Sequence, residues 1–92
     1  MNERRKQEAM NKFYSYANML EPQLRPAGVR LLSNLWHFNA IGRVIKDSPK
    51  DLADKFHIHP DKVEKIFSVF ERNGLFEWID DENWLINFSL ED

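Results

Sequence analysis

His57 and His59 are the first residues in this sequence whose type and spacing raise the question of chemistry. Two imidazoles one residue apart could share a metal ion, with His37 as the third histidine. A zinc-like site needs three or four nitrogen, sulfur or carboxylate ligands converging on one point. The chain has no cysteine, His37 projects to the polar arc of its helix beside Arg30 and Ser33, and no suitably spaced Glu completes a set. No metal is expected, and the histidine pair reads as a helix cap or a phosphate contact. Paired carboxylates do no better as general acid and base. Asp80 and Asp81 fall in a polar, exposed turn with no pocket to raise a pKa. With only three glycines there is no glycine-rich phosphate loop, and neither a nucleophile elbow nor a Ser/His/Asp set is present. No catalytic residue and no cofactor are expected, which leaves binding as the kind of work to look for.

The 92 residues allow one small domain with one core, and 13% aromatic content argues against disorder. The absence of cysteine rules out disulfides and thiolate metal sites. No apolar run approaches the ~18 residues that span a bilayer, and the polar start MNERRKQEAM lacks a signal-peptide core. A cytoplasmic protein with no membrane attachment is the expectation. The net charge of −2 gives nucleic acid no obvious welcome, but it conceals an uneven distribution. Residues 1–70 hold 12 of the 13 Lys/Arg and 8 of the 15 Asp/Glu, a net of +4, whereas residues 71–92 carry −6. A mildly basic body joined to an acidic end piece is a different object from a neutral protein.

The elements that must position these charges follow from apolar periodicity. From Glu3 to about Leu20, the residues Ala9, Met10, Phe13, Tyr14, Tyr16, Ala17 and Leu20 fall on one arc of a helix. Pro22 ends it and Pro26 starts the next, which runs to about Phe38. In that helix Val29, Leu31, Leu32, Leu35, Trp36 and Phe38 make an apolar face so wide that more than one neighbour is implied. Asn39 and Gly42 break it, and Gly42–Lys46 reads as a short extended piece. Ser48, Pro49 and Asp51 form a capping-box variant that opens a short helix with Leu52, Ala53 and Phe56 inside. After the turn His57-Ile58-His59, Pro60 opens a helix to about Asn73, with Val63, Ile66, Phe67 and Phe70 buried and Gly74 as its left-handed cap. The period then becomes two. Phe76 and Trp78, then Trp84, Ile86, Phe88 and Leu90, predict two antiparallel strands joined through the polar turn Asp80–Asn83. The fold class is therefore mainly α with a small β-hairpin.

Helix, short extended piece, helix, tight turn, helix and hairpin is an order that resembles the winged helix-turn-helix superfamily. The stretch SPKDLADKFHIHPDKVEKIFSVFERNGLFEWIDDENWLINF carries the resemblance. Leu52 and Ala53 match the core of the family's second helix, Val63, Ile66 and Phe70 that of its recognition helix, and Asn73-Gly74-Leu75-Phe76 its exit. The pattern also resembles the N-terminal domains of phage replisome organisers and bacterial primosome proteins. It covers about residues 29–90. On this reading residues 24–92 are the winged domain and residues 1–23 are an added amphipathic helix.

The resemblance implies double-stranded DNA as partner and a role in transcriptional regulation or replication initiation. The implied DNA contacts are Lys50, His57, His59, Lys62 and Lys65, around the turn and the start of the third helix, where free backbone N–H groups also favour phosphate. An ordinary solvated face with an Asp61/Lys65 pair is the alternative for the same residues. The added helix implies a homodimer through Met10, Phe13, Tyr14, Ala17 and Leu20, although this face would also suit folding back on its own domain. Asp80, Asp81 and Glu82 would be repelled by phosphates, so the hairpin is expected to stay off DNA. Those carboxylates either keep the tip soluble or dock a basic partner protein, which would make the domain a protein-interaction module.

Overall fold

A computed structural model describes residues 3–90. Glu91 and Asp92 of the acidic end piece, and the first two residues of the 1–23 segment, lie outside the described residues. The described chain is mainly α-helical with one two-stranded antiparallel hairpin: α1 (Glu3–Tyr14), α2 (Arg25–His37), α3 (Pro49–Phe56), α4 (Pro60–Arg72), β1 (Phe76–Trp78) and β2 (Trp84–Ile86).

The first helix is shorter than its apolar arc predicts. At Tyr14 the chain tightens into a 3₁₀ turn over Ser15–Met19, and a second such turn covers Pro22–Leu24. The Ser15 hydroxyl donates to the Lys12 carbonyl at 2.6 Å, competing with the helical ladder where the tightening begins. In a 3₁₀ turn residues three apart eclipse, which aligns Ala17 and Leu20 on one side, and both are buried. They face Gly28 of α2, where an added Cβ would run into Leu20 Cδ1. Leu31, Leu32 and Leu35 complete the inward face of α2. Two residues of its predicted stripe, Val29 and Phe38, are instead exposed, because the neighbours of α2 cover less of its circumference than the stripe implies. Asn39, expected to break the helix, follows its end in the left-handed region (φ 56°).

The extended piece at Gly42–Lys46 reduces to a single bridge. Ile45 and Trp84 exchange backbone hydrogen bonds at 2.7 and 3.0 Å, which ties the α2–α3 connection to the hairpin. The capping box of α3 forms in full: Asp51 N–H donates to Ser48 Oγ (3.1 Å) and Ser48 N–H to Asp51 Oδ2 (3.2 Å). Gly74 takes the left-handed conformation (φ 81°) that turns the chain from α4 into β1. The hairpin register pairs Phe76 with Ile86 and Trp78 with Trp84. Its second strand stops at Ile86, short of the predicted run to Leu90. There Asn87 N–H donates to the Leu75 carbonyl (2.7 Å) and the chain turns, so that the Phe88 ring meets Phe13 at 5.1 Å and Tyr16 at 6.2 Å.

One hydrophobic core results. Phe67 of α4 lies 4.9–5.5 Å from Phe76, Trp78 and Trp84 of the hairpin, ring centre to ring centre. The fully buried Trp84 satisfies its indole N–H on the Asp47 carbonyl at 2.7 Å. At the other end Phe13, also fully buried, packs on Trp36 and Phe88. Phe13, Ala17 and Leu20 belong to the same buried cluster as the α3, α4 and hairpin residues. The described part of the 1–23 segment is thus joined to the core through Phe13, Ala17 and Leu20.

Candidate functional site

The α3–α4 turn is built by three consecutive residues with different tasks. His57 sits in the left-handed region (φ 56°), where its N–H closes α3 on the Ala53 carbonyl. Ile58 turns inward and is buried. His59 caps α4: its Nδ1 accepts from the Asp61 N–H at 3.2 Å. The His59 carbonyl takes the N–H groups of Lys62 (3.0 Å) and Val63 (3.1 Å). Pro60 has no N–H to offer. The first turn of α4 therefore has its backbone donors occupied, which corrects the expectation that free N–H groups there would bind phosphate. Any anion held here is held by side chains.

Those side chains converge. His57, His59 and Lys62 line one cleft of about 330 Å³ together with Arg30, which α2 brings across from its second turn. The remaining lining residues, Pro26, Ala27 and Ile58, carry no charge, so no carboxylate lines this cleft. Two fixed positive charges, two imidazoles and an apolar floor suit a phosphate or another anion, with the Arg30 guanidinium able to bind two oxygens at once. Arg30 was not among the residues the sequence pointed to. No spacing signal links it to His57 or Lys62; only the packing of α2 against the turn does.

Lys50 and Lys65 are not part of this cleft. Lys50 sits in the first turn of α3, the opposite end of that helix from His57. Lys65 lines a separate, wider groove of about 770 Å³ between the outward face of α4 and the stretch from Met19 to Leu24. Glu21, Asp61 and Glu64 stand there against Lys65 and Arg72. The five residues of the expected DNA surface thus divide into a carboxylate-free group of three and two separate lysines.

The acidic hairpin tip also divides. Asp80 Oδ1 accepts from the Glu82 N–H (2.8 Å) and the Asn83 N–H (2.9 Å), and both Asp80 oxygens accept from the Asn83 amide at 2.9 Å. The Glu82 N–H, then the Asn83 side chain and N–H, with Lys46 nearby, hold the Asp80 carboxyl below the usual carboxylate range. Asp80 is the fastener of the turn, and Asp81 and Glu82 are the exposed carboxylates beside it.

The dimerisation face requires correction. Phe13, Ala17 and Leu20 are buried within the chain itself, and Met10 and Tyr14 are half-buried, with the Tyr14 hydroxyl 3.4 Å from Ser33 Oγ. The wide apolar arc of α2 receives this face, so Phe13, Ala17 and Leu20 are already covered by their own chain.

Among the described residues no three His, Asp or Glu side chains group as a metal site, and no helix is long and apolar enough to cross a membrane. Comparison with protein-family models, curated proteins and solved structures gives no match, so the chain's own geometry is what bears on its function.

Proposed function

We propose that this protein is a winged-helix DNA-binding protein of the cytoplasm that acts by binding duplex DNA, in transcriptional regulation or replication initiation, and not by catalysis. The observation that carries the reading is the carboxylate-free cleft of Arg30, His57, His59 and Lys62 at the helix-turn-helix junction. The order of elements and the resemblance of residues 29–90 to winged helix-turn-helix domains support it. Arg30 and Lys62 bind backbone phosphate, and the two histidines contribute donors beside them. The three carboxylates in the groove along α4 keep DNA from lying along the whole outward face of that helix. The duplex approaches the N-terminal ends of α2 and α4, with the acidic hairpin turned away.

Fluorescence anisotropy on a duplex across a salt series tests this. Affinity falls with salt, and Arg30→Ala with Lys62→Ala flattens the log–log slope by about 2, near 0.9 for each phosphate no longer neutralised. Lys65→Ala has a smaller effect than Lys62→Ala, because Lys65 shares its groove with carboxylates. Absence of binding at low salt, or equal effects of Lys62 and Lys65, overturns the assignment.

A further inference from the structure

The α2–α3 connection and α3 enclose a second groove, of about 320 Å³, on which two large apolar side chains remain exposed: Phe38 (55%) and Val44 (57%). Arg43, Lys46 and Lys55 stand around them against one carboxylate, Asp47. Asp47 is already engaged, with its Oδ2 3.6 Å from Lys55 Nζ, and the same ammonium lies 4.9 Å from the centre of the Phe38 ring. This is a cationic rim around an apolar strip. Its neighbour is the opposite. Lys46 also lines the adjoining cleft with Asp81 and Glu82, so the hairpin tip adjoins this groove. The tip offers exposed carboxylates and an exposed apolar residue at its base, Ile79 (52%). Three of the six large hydrophobics exposed among the described residues thus belong to these two adjoining patches.

We infer that this end of the molecule is a two-fold interface with a second copy of the chain, in which the acidic tip of each protomer enters the basic apolar groove of the other. Adjoining patches of opposite charge, each with its own apolar anchor, are self-complementary under a two-fold rotation. One rotation brings Ile79 to Phe38 and Val44 and brings Asp81 and Glu82 to Arg43 and Lys46, and it does so twice. Phe38, Val44 and Ile79 supply the apolar centre and the charges form its rim, the usual anatomy of such a contact. The complementarity selects a second copy because both halves belong to this chain. The inference is independent of DNA binding, and it uses a face other than that of the first helix, whose Phe13, Ala17 and Leu20 are buried in the core.

A charge-swap experiment, read without DNA, tests it. Sedimentation or light scattering of the wild-type chain at high micromolar concentration shows a doubling of mass that weakens with added salt. Arg43→Glu alone and Glu82→Lys alone each weaken self-association roughly tenfold or more, since each places like charges across both equivalent contacts. Mixing the two variants restores the dimer, because every contact in the mixed pair again joins opposite charges. Both positions are exposed, and unchanged melting of each variant shows that the fold is intact. A wild-type chain that stays monomeric at low salt overturns the inference, as does a mixture that fails to recover. Binding of an acidic, apolar peptide by a chain that never self-associates would assign the groove to a foreign partner and overturn it equally.

Discussion

At Gly28 the second helix passes Leu20 so closely that a Cβ would meet the leucine's Cδ1. Glycine inside a helix is disfavoured by about 1 kcal/mol relative to alanine, so its presence here reflects packing and not helix formation. Leu20 is itself buried and cannot swing into solvent. Gly28→Ala therefore sets that gain against overpacking of about 1–3 kcal/mol, and a net loss of stability is expected. The sign reverses when the obstruction is removed: in a Leu20→Ala background, Gly28→Ala stabilises. Urea denaturation of the four chains of this cycle measures it, and a Gly28→Ala change that stabilises both backgrounds contradicts the packing. Arg30, two residues further on, shows the same dependence on neighbours. Its place in a cationic cleft comes from His57 and Lys62, which are remote from it in sequence.

The hairpin, as an element, depends on its turn. Two three-residue strands form few ladder bonds, and the five residues Ile79–Asn83 are held by Asp80 as an acceptor and by the Asn83 carbonyl, which takes the N–H groups of Ile79 (2.8 Å) and Asp80 (3.3 Å). Because the Asp80 carboxyl is held below its ordinary range when folded, its stabilisation of the turn is present above the unfolded-state value. That stabilisation is lost as pH falls through the lower, folded one. The amide resonances of Glu82 and Asn83 are expected to titrate together below the ordinary Asp range, and Asp80→Asn is expected to abolish that transition. Titration at the ordinary Asp value would show that the carboxylate does not hold the turn. The exposed position of Asp80 keeps this effect local, so an NMR titration is the suitable readout and melting of the whole protein is not. Its fastening role also bears on partners, since only Asp81 and Glu82 are free to meet one.

For the whole molecule, the consequential finding is that the first segment, the α3–α4 pair and the hairpin share one core. Phe13 is fully buried against Trp36 of α2 and Phe88 beyond the hairpin, so it closes the molecule from both ends of the chain. Phe13→Ala is expected to remove about 3–5 kcal/mol, a large share of the stability of a domain this size. The loss should be felt everywhere at once. Hydrogen exchange at the Trp84 indole, in the hairpin, and at the α4 amides is expected to accelerate with that at α1, as one cooperative unit requires. An independent first segment would leave α4 and the hairpin unchanged. The single core also determines which surfaces remain for partners: the cationic cleft at the α3–α4 turn, and the paired basic and acidic patches on either side of Lys46.

What the sequence determined by itself is what short-range physics controls. Ser48 and Asp51 are three residues apart and complete their capping box within one turn. Gly74 supplies a backbone conformation that few other residues adopt, and Val63, Ile66, Phe67 and Phe70 lie on one face of any helix that contains them. These features formed as the sequence predicts, as did the two antiparallel strands and the polar turn between them. Tertiary structure decided the rest, because an apolar stripe says that a face will be buried and not against what. The arc of Phe13, Ala17 and Leu20 would have suited a second chain or its own core, and only the approach of α2 through Gly28 settled which. Val29 and Phe38 are apolar yet exposed because their neighbours cover only part of them, Phe38 resting on Phe56 with its other face outward, and the second strand ends at Ile86 because Phe88 is drawn to Phe13. Charge followed the same division. The sequence shows that the basic and acidic residues are segregated. The fold alone separates the carboxylate-free cleft of Arg30 and Lys62 from the mixed groove of Lys65, since those distances are set by how helices pack and not by their spacing along the chain.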